Sequence, residues 1–169
     1  MAVTNETSPE YKDVTDPRTN GGVSATYFRD LQYIPFNFTQ GAAAGDATST
    51  MDLVYLQRGR YVILPKLSII RWSAFGASRV LDIGVTAHTD ETGAAVAASL
   101  ARFDDDIDVS SAGSAAMGSD LAAADFSGVY LNIGGTTNTD GAIIRATVAG
   151  GTIPAAATLT GYLVVAKVA

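Results

Sequence analysis

Residues 79–87 read RVLDIGVTA, and this stretch decides the fold. In an extended chain Val80, Asp82, Gly84 and Thr86 share one face, and Leu81, Ile83, Val85 and Ala87 share the other. A period of two with branched aliphatics in one phase marks a strand that turns one face to a core and one to water. Upstream, Tyr61 to Phe75 (YVILPKLSIIRWSAF) is apolar in two phases that break at Pro65. A continuous strand would lose a ladder hydrogen bond at that proline, so the segment predicts two strands or one bulged strand. Met51 to Gln57 predicts another strand, closed by the turn Gln57 to Arg60. Leu31 to Thr39 (LQYIPFNFT) alternates around Pro35, which suits an edge strand or a bend.

Downstream, Gly128 to Ile133, Ala142 to Val148 and Thr158 to Val168 predict three further strands, separated by GGTTNTDG and AGGTIPAAA. Glycine beside Thr or Asp in such segments accepts the positive backbone dihedrals of tight turns. Ala94 to Phe103 reads equally as a short helix, by its alanines, or as a strand of small side chains. Asp104 to Asp120 reads as a long loop. Seven to nine strands without helical alternation predict an all-β antiparallel sandwich or jelly roll over residues 31–169. Residues 1–30 carry two prolines, Gly21-Gly22 and many small polar residues, and read as an extended N-terminal arm or a disordered terminus. Tyr11, Tyr27 and Phe28 favour an arm that docks.

The chain has 169 residues and a mass of 17.4 kDa, which fits one domain. Its 47% apolar content includes 28 alanines, so the large apolar residues form a modest core. Cysteine is absent, which excludes disulfides and thiolate metal sites. No apolar run reaches membrane-spanning length and MAVTNETSPEYKD has no signal-peptide core, so a soluble protein outside Sec export is expected. A net charge of -6 argues against nucleic acid as the main partner.

Catalysis has few parts. His88 is the single histidine, in HTDETG, and reads as a turn residue since no second histidine exists to complete a site. Asp104 to Asp106 with Asp108 offer oxygen density for calcium but lack the loop glycine and closing glutamate of an EF-hand; the alternative is a charged surface loop. No Gly-x-Ser-x-Gly elbow or phosphate loop is present. Trp72 reads as an inter-sheet anchor rather than a stacking platform. No enzyme activity, cofactor or metal is expected. Charge, however, is segregated: between Leu53 and Leu81 the charged residues are Arg58, Arg60, Lys66, Arg71 and Arg79, whereas Asp82 to Asp125 is acidic with Arg102 as its one cation. The two segments either present opposite patches or neutralise one another across neighbouring strands.

Leu64-Pro65-Lys66, Leu81-Asp82-Ile83-Gly84, the acidic turn Asp90 to Gly93, and Thr147 to Thr152 before Leu159 to Val168 together resemble small virion proteins of tailed bacteriophages. The resemblance covers about two thirds of the chain and implies a β-sandwich capsid decoration or cement protein. Such a protein is made in the host cytoplasm, sits on the capsid surface, contacts the major capsid protein and bridges capsomers, often as a homotrimer. On that implication Tyr11, Tyr27 and Phe28 tie the domain to a neighbour, and Arg58, Arg60, Lys66, Arg71 and Arg79 meet acidic capsid surface. A receptor- or glycan-binding module of a head or tail fibre is the alternative. It would want exposed aromatics on loops, whereas most rings here fall in expected strands.

Overall fold

A computed structural model describes residues 5–7, 31–46, 48–119, 128–135 and 140–168. Among these residues thirteen strands form: β1 (Asn5–Thr7), β2 (Leu31–Thr39), β3 (Thr50–Gln57), β4 (Gly59–Ile63), β5 (Ile69–Trp72), β6 (Val80–Val85), β7 (His88–Thr89), β8 (Ala95–Val96), β9 (Ser99–Asp108), β10 (Gly113–Ala116), β11 (Val129–Ile133), β12 (Gly141–Ala149) and β13 (Thr158–Val168). One sheet runs β1-β3-β12-β6-β9. The other is built on β13, which carries β2 on one edge and both β4 and β5 on the other; β11 and β10 then pair with β4 and β5 respectively.

The topology is simpler than the strand count suggests. Antiparallel pairs β2/β13, β3/β12, β4-β5/β11-β10 and β6/β9 form one long ribbon folded back at residues 86–98, where β7 and β8 make a small hairpin. Rolling that ribbon sends successive pairs to alternate sheets. With β4-β5 and β10-β11 each taken as one ribbon segment, the eight segments stand in the orders 1-8-3-6 and 2-7-4-5. This is the jelly roll, and the fold expectation holds.

Alternation places the core. In β12, Ala142, Ile144, Ala146 and Val148 are buried and their neighbours half-buried. In β6, Leu81, Ile83 and Val85 face inward, as their phase requires. Phe36, Phe38, Tyr61, Trp72, Phe103, Leu131 and Leu163 come from both sheets and join them in one cluster. Burial pushes the Tyr61 phenol up to about 12, with the neighbouring Tyr55 adding to the effect. Trp72 is the anchor expected, its Nε1 donating to the Ser111 carbonyl at 2.8 Å. Phe75 is buried, but it follows β5 in a loop.

Pro65 splits its strand as anticipated. Ile63 pairs with Val165 and Ile69 with Tyr162, so Leu64 to Ser68 loop out as a single 3-10 turn opposite Leu163 and Val164. Buried Ser68 closes the gap: its hydroxyl donates to the Leu64 carbonyl and accepts from the Val164 amide at 2.8 Å. Pro35 lies on an edge strand, also as anticipated. Odd-numbered residues of β13 bond toward β2, while Val164 and Thr158 bond toward β4 and β5. Opposite Tyr162, the Pro35 nitrogen therefore points away from the ladder and costs it no bond.

The open choice at Ala94 to Phe103 resolves to strand, at residues 95–96 and 99–103, and one expectation needs correction: Asp104 to Asp108 continues β9 instead of opening a long loop, with β10 following at Gly113. The acidic stretch stays extended because two bulges absorb its irregularity. Asp105 and Asp106 together oppose Asp82, with Asp106 at φ 59 and its amide bonded to the Asp82 carboxylate. Four residues, 100–103, oppose Gly84 alone. A side chain at Gly84 would collide with the backbone of Ser99 and Leu100. Gly84→Ala is therefore expected to lower stability by about 1–3 kcal/mol, read from the urea midpoint. A midpoint equal to that of the parent would show that β9 yields freely.

Candidate functional site

The outer face of the β13 sheet is unusual for a surface. Register builds a cross-strand row of Leu31, Ala166, Val62 and Tyr130 over four strands. A second row runs Pro35, Tyr162, Ile69 and Ala116. Between them Tyr33 pairs with Val164, over which the 3-10 turn raises Lys66 and Leu67. Tyr33 meets Tyr162 edge to face at 5.4 Å between ring centres.

Exposure confirms that nothing in the described residues covers this band. Leu31, Tyr33, Leu67 and Tyr130 are 45%, 63%, 50% and 49% exposed, and Val168 joins them at the end of β13. Polar rows bound it: Arg60 with Asn132 at one end, and Asn37, Thr160, Arg71 and Ser114 at the other. An apolar, tyrosine-rich centre with an arginine-bearing rim is the anatomy of a protein-binding surface.

The opposite face of the sandwich carries acid. The β9 bulge brings carboxylate oxygens of Asp82, Asp105 and Asp106 within 4.8 Å of one another, a spacing that also suits a cation. Asp104 turns inward, 2% exposed, where the Ser119 amide and hydroxyl both donate to it at 2.8 Å. The calcium-like density of the sequence is thus divided between an inward group and an outward cluster that includes Asp82. Asp108 instead caps Ser110, and hydrogen bonds from Ser110 hold its carboxyl below the usual range.

The cations named from sequence have separate fates. Arg71 stands exposed on the apolar face, and Lys66 rises on the turn above it. Arg60 lies at the rim and forms a bidentate pair with Glu91, which ties the β7–β8 hairpin to β4. Arg58 reaches the Gly135 carbonyl at 3.2 Å. Arg79 is half-buried and clamps the final turn through the Thr152 carbonyl at 2.6 Å. Tyr11, Tyr27 and Phe28 lie outside the described residues. Segregated charge therefore serves both ends weighed from sequence: Arg60 and Glu91 neutralise across segments, while Arg71 and the Asp82 cluster occupy opposite faces.

His88 faces the Thr86 carbonyl at 2.9 Å. Asp90 caps the hairpin, accepting from the Thr92 hydroxyl and from the Thr92 and Ala94 amides. Hydrogen bonding to Thr92 lowers the Asp90 carboxyl, and the Arg60 guanidinium lowers that of Glu91. Carboxyls depressed in the folded state stabilise it above their unfolded pKa and lose that contribution as pH falls through the folded value. Acidification is expected to lower the amide protection factors of Ala95 and Val96, taken relative to the intrinsic exchange rate at each pH, before those of the core strands, and Glu91→Gln to flatten that dependence. Equal acid sensitivity in hairpin and core would remove the latch.

Sequence reasoning missed Leu31, Tyr33, Leu67, Tyr130 and Val168 as surface groups. A signal was present: in LQYIPFNFT both phases are apolar, Leu31 and Tyr33 in one and Phe36 and Phe38 in the other. A strand of that kind is covered on both sides or offers one side to a partner.

Fold and face together define a jelly-roll domain with an exposed apolar, tyrosine-bearing face on one sheet. No protein-family model matches the chain, and no curated protein matches it. Among solved structures it is similar to a chain of the cyanophage Pam1 capsid asymmetric unit, at 14% identity and TM-score 0.44, covering 83% of this chain and 84% of that one. It is also similar to a chain of infectious bursal disease virus, Gt strain, at 10% identity and TM-score 0.41, covering 80% of this chain and 31% of that one. At these values the likeness says nothing about role.

Proposed function

We propose that the protein is a structural component of a phage virion, bound to the outside of the capsid through the β13-sheet face and the N-terminal arm. It contacts the major capsid protein and holds neighbouring capsomers together as a decoration or cement protein, working as a homo-oligomer with three copies favoured. The observation that carries this reading is the exposed band of Leu31, Tyr33, Leu67 and Tyr130 inside a rim with Arg71. Such a band gains free energy when covered, and its cations match an acidic partner. The sequence resemblance supplies the kind of partner. A repeated shell multiplies weak contacts, since each engaged site raises the effective concentration of the next.

Cosedimentation with undecorated heads tests the reading. Full-length protein is expected to saturate heads, and residues 31–169 to remain folded yet bind at much reduced occupancy. Unchanged occupancy without residues 1–30 would remove the arm. Labelling of intact particles locates the protein: a uniform coat over the head supports the proposal, and signal confined to the tail or a few spikes supports the receptor- or glycan-binding alternative.

A further inference from the structure

The split between β4 and β5 leaves a surplus of chain beside β13. Ile63 pairs with Val165 and Ile69 with Tyr162, so five residues, 64–68, stand against two, 163 and 164. The ladder cannot absorb the excess, and Pro65 to Leu67 leave it as the 3-10 turn. Pro65 is buried at the base of that turn, and Leu67 is 50% exposed.

The turn is tightly held. Amides of Leu67 and Ser68 donate to the Leu64 carbonyl, and the Ser68 amide also reaches the Pro65 carbonyl. Leu64 donates to the Val164 carbonyl at 2.9 Å, Val164 donates to the Ser68 hydroxyl at 2.8 Å, and the Met117 amide donates to the Ser68 carbonyl at 3.0 Å. Pro65 fixes its own φ. An apolar side chain on so constrained a backbone has little further freedom to lose when a partner covers it, and preorganisation of this kind is what lets exposed apolar area yield affinity. Val164 shows how the turn is seated. It belongs to the outward phase of β13, between Tyr162 and Ala166, yet it is 0% exposed and lies outside the inter-sheet core cluster. Its register partner Tyr33 stands on one side of it, and the turn bonds to it on the other.

We propose that Leu67 is the central anchor of the docking face and enters, with its turn, an apolar pocket of an acidic partner protein, flanked by Tyr33 and by a partner carboxylate on Arg71. This rests on the capsid-docking reading of the same face and adds the form of the surface it meets: concave where the turn enters, and acidic beside it. Charge selects the occupant. Arg71 is exposed four positions beyond Leu67, and the outward rows of β2, β13, β4, β5, β10 and β11 contain no carboxylate. A second copy presenting this face offers Arg71 no counter-charge, whereas an acidic chain meets it with opposite sign. Ser68 is a positioning residue: it is buried, and its hydroxyl pins the turn by donating to Leu64 and accepting from Val164.

Binding isotherms on undecorated heads test this with full-length variants. Leu67→Ala is expected to weaken binding about 10-fold, and Ser68→Ala about 3-fold. In the Leu67→Ala background Ser68→Ala is expected to have no further effect, because the side chain it positions is gone. An equal factor in both backgrounds overturns the positioning role. Trp72 fluorescence melts establish that each variant is folded at the binding temperature; Ser68→Ala leaves the Val164 amide without its acceptor and should melt earlier. Should Ser68→Ala not fold, Pro65→Ala, which frees the first φ of the turn, takes its place in the same cycle. Arg71→Glu is expected to weaken binding, and tighter binding would overturn the acidic rim. Parent-like affinity of Leu67→Ala beside lost affinity of Tyr33→Asp overturns the anchor and leaves the capsid reading standing. Heads that take up no parent protein overturn both. Self-association of the isolated protein that Leu67→Ala abolishes, followed by sedimentation, would make a second copy the occupant and overturn the proposal.

Discussion

Tyr33→Asp combined with Leu67→Asp is expected to weaken binding to undecorated heads about 100-fold while leaving thermal unfolding nearly unchanged. Both side chains are at least half exposed and lie on the apolar band, away from the core cluster. Central aromatic anchors in protein interfaces are often worth about 2 kcal/mol or more when truncated, and 1.4 kcal/mol is tenfold in affinity. Two such losses, discounted for non-additivity, give the stated factor. Surface substitutions of this kind change stability by about 0.5 kcal/mol or less. Binding isotherms by cosedimentation give the first quantity and Trp72 fluorescence the second. The sign of the introduced charge is informative. Against an acidic partner, Tyr33→Lys should retain more affinity than Tyr33→Asp, and the reverse order would mean a basic partner. Full occupancy by the double variant would exclude the band as the docking surface.

Trp72→Ala is expected to cost about 3–5 kcal/mol, the range for removing a large buried aromatic. The ring sits between the sheets at 9% exposure, and Gly113 packs so closely that a methyl group there would stand 2.9 Å from it. Loss of the bond to Ser111 adds less, because the Ser111 carbonyl belongs to an exposed residue that water can reach. For a chain of this size the melting temperature should fall by about 6–20 °C, followed by far-ultraviolet circular dichroism because the fluorophore is gone. Trp72→Phe keeps most of the packing and should lose much less. A fall below about 1 kcal/mol in the alanine variant would show that the sheets close over the gap.

What could be read in advance follows from how strongly each segment constrains its own phase. In β6 and β12 one phase is wholly apolar and the other mixes Asp82, Gly84, Arg145 and Thr147 with Val80 and Ile143, so a single register satisfies them and the sequence displays it. Pro35 and Pro65 were legible for a different reason: a missing donor limits where a strand tolerates them, at an edge and at a break. β9 hid itself because its two bulges shift the phase twice in ten residues, so its acids alternate with nothing. The cluster of Asp82 with Asp105 and Asp106 joins residues more than twenty positions apart through one of those bulges. The apolar band was equally hidden, since it is assembled across β2, β13, β4 and β11 by pairings that only the rolled topology supplies.

The place of β13 in its sheet sets a timetable for synthesis. β2, β4 and β5 all bond to this late segment, and about 85 residues separate the end of β5 from its start. At about 5–20 residues per second, the ribosome leaves those early strands waiting roughly 4–17 s for their shared neighbour. Throughout that interval Pro35, lacking a donor on the open side of β2, blunts the stickiest stretch of nascent chain against premature pairing with sibling polypeptides.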